Sequence, residues 1–289
     1  MSKVSVISRH PSHKRLEFPE FDLKIRLRFG SRTEFKATKD IDFPSKEAIK
    51  NTSNKWRMKK LFEENGVSSP AYAFFSPAKM RRLLGNPDLL DTDDFSKWKD
   101  MLEFRYGNAI LKFELIFKEL NHSRGEGIFF INNHEDLIRV IDNGKKGYVE
   151  QVIGNDREFR VHVCDGKAFY TDEKLPREEG HTAKIKNLAN GYKYRNRSVS
   201  RPYPKAIRKE AIKAVNALGI EFGAVDVAVD SNGNIHVFEV NSAMGLRTKT
   251  ARLYQERLID LMIKKGAKLL NNNEDDNSSN NEGETSGQD

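Results

Sequence analysis

The sequence predicts an α+β fold, and three observations carry that reading. Apolar runs with strand periodicity are mixed with helical stretches, without the strict strand–helix–strand repetition of a doubly wound sheet. The segment GAVDVAVDSNGNIHVFEVN, ending at Asn241, holds two strands around Asn232-Gly233, the strongest two-residue hairpin signal. The chain has 289 residues, 37% of them apolar and 32% charged. That length suffices for one large core or two to three small ones beneath a well-solvated surface.

Taken in order, the apolar alternation of Val4 and Val6, and of Phe21, Leu23, Ile25, Leu27 and Phe29, predicts two or three strands before Pro44. Ser45 precedes a helical run. Asn54–Asn65 reads as a helix with Met58, Leu61 and Phe62 on one face and Gly66 as its stop. After Ser68-Ser69-Pro70 comes the apolar stretch Ala71–Phe75. Residues 76–103 read as charged and mostly helical, with a break near Gly85-Asn86-Pro87. Ala109–Phe117 is one long strand or a strand pair, and Ile128–Ile131 is another strand. Asn133 caps a helix, with Asp136 at its third position and Leu137, Ile138 and Ile141 pointing inward. Tyr148–Ile153, Phe159–Val163 and Lys167–Thr171 read as strands, the last two joined at Asp165-Gly166. Residues 176–201 read as a polar, mobile loop. Pro204 opens a helix closed by Gly219, and a last helix is expected from about Lys249 to Leu269.

No window approaches the roughly 20 apolar residues of a membrane span. The N-terminus lacks the apolar run of a secretory signal, and the single cysteine, Cys164, excludes an internal disulfide framework. These features predict a soluble, cytoplasmic protein. Net charge is +8. The tail 271–289 is polar and acidic and is expected to be disordered. Its carboxylates come without a cation, so the body carries about +14 and should attract nucleotide phosphates, acidic peptides, proteins or nucleic acid.

The hairpin is the most informative segment. If Asn232 and Gly233 form its loop, Asp226 falls opposite Glu239 and Ala224 opposite Asn241. Alternation then puts Ala224, Asp226, Ala228, Glu239 and Asn241 on one face, and Val225, Val227, Val229, Phe238 and Val240 on the core face. Two opposed carboxylates repel. A divalent cation with a preference for hard oxygen ligands would compensate, and the two alanines leave room above it. The competing reading is a solvated polar face.

A second candidate region is the loop from Asn121 to Gly127, which follows the strand ending at Ile116-Phe117-Lys118. Small residues such as Ser123, Gly125 and Gly127 let backbone N–H groups approach phosphate oxygens. Lys118 offers a charge to the same phosphates, and Lys112 competes for that role. The pattern is not the Gly-x-x-x-x-Gly-Lys-Ser/Thr loop.

In this order the pieces resemble the ATP-grasp superfamily from about Asn54 to Leu246, and most closely its RimK-like glutamate and amino-acid ligases. The resemblance implies two α+β subdomains clasping ATP, with a shortened N-terminal subdomain. The corresponding divisions are residues 1–44, 45–149 with the glycine loop, 150–270 with the metal hairpin, and the tail. It implies that Lys55, Lys118, Ser123, Gly125 and Gly127 contact the nucleotide. Glu150, Gln151 and Ile153 would hold adenine, Glu158 the ribose, and Asp226, Glu239 and Asn241 magnesium, with manganese a possible substitute. Lys174 and Asn187 fall where these ligases carry catalytic basic and Arg-x-Asn residues, and Arg160 completes a Glu-x-Arg motif directed at the phosphates. Ile185 replaces the motif arginine, leaving Lys184 or Lys186 as its substitute. Ala224 stands where D-alanine ligases usually carry an arginine, which argues against that branch. Met244 occupies a usual proline position.

The resemblance implies ATP-dependent joining of an amine to a carboxylate through an acylphosphate, the acceptor and amine donor being open. Two alternatives stand beside it: an ATP-grasp kinase acting on a polyanionic small molecule, and a non-catalytic nucleic-acid-binding protein. The basic cluster Lys184, Lys186, Lys193, Arg195, Arg197 and Arg201, interleaved with Tyr192, Tyr194 and Tyr203, fits a lid over ATP or a nucleic-acid surface. Arg247 and Thr248 are candidates for gripping a substrate carboxylate, and His122 for catalysis. Cys164, on an apolar strand, is expected to be packed.

Overall fold

The computed structural model describes residues 3–8, 10–33, 39–86, 115–120, 127–183, 185–186, 188–196 and 205–270. Lys112, His122, Ser123, Gly125, Lys184, Asn187, Arg197, Arg201, Tyr203, Pro204 and the tail lie outside them, as does most of the expected charged helical stretch beyond residue 86. Among the described residues, no helix is long and apolar enough to cross a membrane.

The chain opens with a parallel three-stranded sheet, β1 (Ser5–Ser8), β2 (Ile25–Phe29) and β3 (Ile41–Phe43), interrupted by a 3-10 turn at Pro11–Arg15. Ile25, Leu27 and Phe29 face a core shared with Phe222, Ala224 and the last helix, α6 (Thr248–Lys264). The opening segment is therefore packed onto the C-terminal half of the chain.

Two helices follow. Ser45 Oγ accepts from Ala48 N (3.1 Å) to cap α1 (Lys46–Ser53), and Asn54 Oδ1 accepts from Arg57 N (3.0 Å) to cap α2 (Lys55–Glu64). Gly66, at φ 62°, ends α2 in the left-handed region. A four-stranded sheet comes next, in the order β4 (Tyr72–Phe75), β7 (Gly147–Gln151), β5 (Leu115–Glu119), β6 (Ile128–Ile131). Its core face, through Phe75, Phe117 and Val149, packs on Met80 of α3 (Pro77–Gly85) and on Leu137 and Ile141 of α4 (His134–Asp142). Asn133 caps α4 as expected, accepting from Asp136 N at 2.9 Å.

The third sheet runs β10 (Tyr192–Arg195), β9 (Lys167–Pro176), β8 (Asn155–Cys164), β11 (Phe222–Asp230), β12 (Ile235–Asn241). Val161, Val225, Val227 and Val237 bury one face against Ile207, Ala211 and Val215 of α5 (Lys205–Ala217) and against Met58 and Phe62 of α2. Two expectations are corrected here. Residues 176–201 are not wholly irregular, because Tyr192 and Tyr194 alternate along a strand that pairs with β9. The last helix stops at Lys264, and the chain turns at Gly266 to bridge Leu269 with Phe21.

The hairpin register expected from Asn232-Gly233 is correct at its far end for an unexpected reason. Asp230 Oδ1 accepts from the N–H groups of Asn232 (2.9 Å) and Asn234 (2.8 Å), so the turn is one residue longer than Asn232-Gly233 alone. Val229 therefore faces Ile235 and Val227 faces Val237. A β-bulge then inserts Phe238 and restores the expected pairs Asp226–Glu239 and Ala224–Asn241. The bulge also overturns one assignment: Val237 is fully buried in the core, and Phe238, expected there, is only partly buried.

The three-stranded sheet meets the loop after β12 at Gly30 (φ 68°), where an added Cβ would lie 2.5 Å from Ala243 Cβ. Gly30→Ala should cost about 1–3 kcal/mol by urea unfolding through overpacking and backbone strain. Gly85→Ala, with open space around it, should leave the midpoint nearly unchanged.

Candidate functional site

The face of the third sheet opposite α5 carries ordered rows of polar side chains. Register puts Asp226 beside Arg160, Ala228 beside Glu158 and Ala224 beside His162. On the other side of β8, Arg160 pairs with Asp172 and His162 with Tyr170. A charged row thus runs Asp172, Arg160, Asp226, Glu239 across four strands. Strand alternation alone brings these groups together.

Arg160 grips Asp226 through Nε and Nη2, both at 2.8 Å, the strong fork geometry of a guanidinium on a carboxylate. Lys174 donates to Glu158 and lies 3.4 Å from Asp226 Oδ2. The Tyr194 ring covers both cations, at 4.6 Å from Arg160 and 5.9 Å from Lys174. Burial works against ionisation of Asp226, but Arg160 and Lys174 overcome it and hold its pKa at about 2. Burial likewise opposes the charge on Arg160 and Lys174, and Asp226 reverses the balance for both, raising their pKa values. Burial pushes Glu158 upward against the pull of Lys174. Compensation for the opposed carboxylates, expected from a metal alone, is thus supplied in part by the protein's own cations.

Asp226, Glu239 and Asn241 present hard oxygen atoms on adjacent strands, and Glu239 Oε1 accepts from Asn241 Nδ2 at 3.0 Å. Such a donor set fits a divalent cation that shares its shell with phosphates. It comprises two carboxylates and an amide. No group of three or more His, Cys, Asp or Glu gathers as a metal cluster among the described residues.

The four-stranded sheet contributes a second charged group. Glu150 on β7 is buried, and Lys118 on β5 donates to its Oε2 at 3.0 Å. Lys59 on α2, only 1% exposed, sits 3.4 Å from Oε1 without hydrogen-bond geometry. Burial lowers the Lys59 pKa to about 8, with Glu150 resisting and Lys118 reinforcing the drop. Glu239 also acts electrostatically on Lys59 and on Tyr148, which links this group to the hairpin. Sequence reasoning missed Lys59. The available signal was its position three residues before Phe62, on the buried side of α2.

Other candidates are more dispersed. Lys55 and Lys186 are half-buried, as are Gln151 at the end of β7 and Ile153 just beyond it. Gly127 sits at φ 66°, and its carbonyl accepts from Glu119 N at 2.9 Å. Arg247 is neither free in solvent nor open to a ligand on all sides: it pairs with Asp172 and donates to Tyr194 O at 2.9 Å. Cys164 is packed, and burial pushes its thiol up to about 12. One feature was not foreseen. The 3-10 turn grips the loop after Asn241: His13 Nε2 meets Met244 O (2.8 Å), Ser12 Oγ accepts from Leu246 N (2.9 Å), and Arg15 donates to Leu246 O (3.2 Å).

A family model described as a RimK-like ATP-grasp domain matches residues 52–262. D-alanine–D-alanine ligase of Fusobacterium nucleatum subsp. nucleatum is 24% identical over 155 residues, 51% of this chain and 52% of that protein. The chain thus spans about half the length of the curated relative it matches. Among solved structures, D-alanine–D-alanine ligase from Bacillus anthracis aligns with a TM-score of 0.53 at 17% identity, covering 76% of this chain and 69% of that one. The ATP-grasp ligase PsnB complexed with minimal precursor aligns with a TM-score of 0.52 at 14% identity, covering 78% and 64%. At such identities these structures show a shared fold.

Arg160→Met leaves Asp226 buried with Lys174 alone and should cost about 3–5 kcal/mol in urea unfolding, much of it recovered in the Arg160→Met, Asp226→Asn double variant. Burial holds His13 at a pKa of about 4 and His162 at about 3, below the usual 6.5. Both stay neutral in the folded protein and charge on unfolding, so stability should fall as pH drops below 6.5. The loss at pH 5 is about 2 kcal/mol per histidine. His13→Gln and His162→Gln should each flatten the slope of stability against pH by one proton between pH 6.5 and 5.

Proposed function

The chain belongs to the family of RimK-like ATP-grasp domains, and on that premise we propose that it is an ATP- and magnesium-dependent carboxylate–amine ligase. The observation that carries the proposal is the charged row Arg160, Asp226, Glu239, with Lys174 alongside. Its two opposed carboxylates have cations within reach, at the position the family resemblance assigns to the transferring phosphates.

In this reading Glu150, Gln151 and Ile153 hold adenine, Glu158 binds the ribose, and Lys55, Lys118, Lys186 and the loop containing Ser123, Gly125 and Gly127 receive the phosphates. Asp226, Glu239 and Asn241 would hold magnesium, or manganese in its place, which neutralises charge on the phosphoryl oxygens. Arg160, Lys174 and Asn187 act on the reacting groups. The acceptor carboxylate attacks the γ-phosphorus, forming an acylphosphate and releasing ADP. An amine then attacks the acyl carbon, expels phosphate and loses a proton. Arg160 and Lys174 stabilise the charge that develops, and burial keeps them effective.

The acceptor we favour is a peptide or protein with acidic character, since the body of the chain carries about +14 and PsnB is a ligase described with a precursor. The same charge favours a second reading, a kinase acting on a polyanionic small molecule. Mass spectrometry of reactions containing ATP, magnesium, an amino-acid panel and candidate acceptors separates them. Ligation should yield ADP, free phosphate and an acceptor heavier by one amino-acid residue, and Glu239→Gln should reduce turnover at least a hundredfold. An acceptor gaining only a phosphoryl group would support the kinase. Nucleic acid bound without any ATP turnover would overturn both.

A further inference from the structure

The Lys59–Glu150–Lys118 group has an imbalance that nucleotide binding would expose. Glu150 is 1% exposed and faces two ammonium groups, one on each oxygen. The two cations differ in access. Lys118 keeps part of its side chain exposed, at 16%, whereas Lys59 is sealed at 1%. Lys59 is fixed by its helix: Met58 and Phe62 lock α2 into the core of the third sheet, and Met58 Sδ accepts from Val240 N at 3.4 Å. Its ammonium has an ion-pair distance to Glu150 but no hydrogen bond in good geometry.

Among the described residues, other charged and titratable groups around Lys59 are few. Tyr148 lies on β7 with Glu150, Lys118 on β5 and Glu239 on β12. One turn away on α2 stand Lys55 and Glu63, and Glu63 accepts from Tyr72 OH at 2.5 Å. None of these can replace Lys59 as a buried cation on Glu150. A buried carboxylate stripped of its cations would take up a proton.

We propose that Lys59 is a positioning residue of the nucleotide site: it is the counter-ion that stays on Glu150 when Lys118 turns to the phosphates. This inference rests on the reading of Lys118 as a phosphate ligand and of the β7 segment as the adenine-binding strand. With Lys59 in place, Glu150 remains ionised and oriented after Lys118 departs. Without it, Lys118 must either stay on Glu150 or leave behind a carboxyl that binds a proton. Departure of Lys118 also removes a like charge from Lys59, so the Lys59 ammonium holds its proton more firmly in the complex.

The test is calorimetric titration of the full chain with ATP and magnesium at pH 7.5 and 8.5, each in two buffers of different ionisation enthalpy. The difference between buffers gives the protons taken up on binding. Beyond the nucleotide's own, the wild type should take up a small fraction of a proton at pH 7.5 and a larger fraction at pH 8.5. Lys59→Met should bind ATP at least tenfold more weakly at pH 7.5 and take up close to one proton. Lys59→Arg should restore wild-type behaviour, and Glu150→Gln in the Lys59→Met background should abolish the uptake. If Lys59→Met does not fold, the wild-type uptake at pH 8.5 and the behaviour of Lys59→Arg decide the matter. Unchanged ATP affinity and no proton uptake in Lys59→Met would overturn the inference, as would a wild type with no uptake at pH 8.5. A wild type that does not bind ATP at all would instead overturn the proposed function.

Discussion

The fork between Arg160 and Asp226 is the interaction on which the polar face of the third sheet depends. A carboxylate on a central strand, flanked by a second carboxylate on the next strand, is unfavourable unless cations lie beside it. Arg160 is supplied by the strand on the other side of β11, two residues beyond Glu158, and Lys174 by the strand after that. Lys174 is buried and Arg160 partly so, and each charge is kept by the others. Replacing such a cluster with apolar residues of similar volume can be neutral or stabilising. Its presence is therefore better explained by use than by stability.

Rigid apolar packing holds this cluster in place. Valines on β8, β11 and β12 anchor the opposite face of the sheet on α5 and α2. The N-terminal sheet shares a core with α6 and β11, and its 3-10 turn fixes the backbone just beyond Asn241. The segment that looks like a reduced appendage in the sequence thus braces the loop after the β11–β12 hairpin. α2 plays a matching role on the other side, since it packs on β12 while Lys59 reaches Glu150 on the four-stranded sheet.

Much of this was legible in the sequence, and the remainder was not for definite reasons. Helix starts were readable because Ser45, Asn54 and Asn133 cap through their own side chains, a local signal. The face shared by Ala224, Asp226, Glu239 and Asn241 was readable from alternation. The bulge at Phe238 was not, because nothing in a strand pattern marks an inserted residue when the turn is also one residue longer. β10 was hidden in a polar stretch whose strand character depends on pairing with β9. Among candidate site residues, Asp226, Glu239 and Asn241 were readable from the alternation of the hairpin, and Lys118 with Ser123, Gly125 and Gly127 from a lysine and small residues following a strand. The buried place of Lys59 on α2 was signalled by its spacing from Phe62, but its partner Glu150 and the His13 contact were not, because each depends on a tertiary neighbour far away in sequence. Glu158, Arg160, Lys174 and Asn187 rest on the family resemblance alone.

Our central proposal is that the charged row of Arg160, Asp226 and Glu239 is where ATP and its divalent cation meet. The Arg160 Nε–H resonance reports on this most directly, in protein labelled with 15N-arginine and assigned by its absence from Arg160→Lys. Magnesium–ATP should shift this resonance, and manganese–ATP should broaden it beyond detection by paramagnetic relaxation. A resonance left unchanged by saturating concentrations of both would contradict the account.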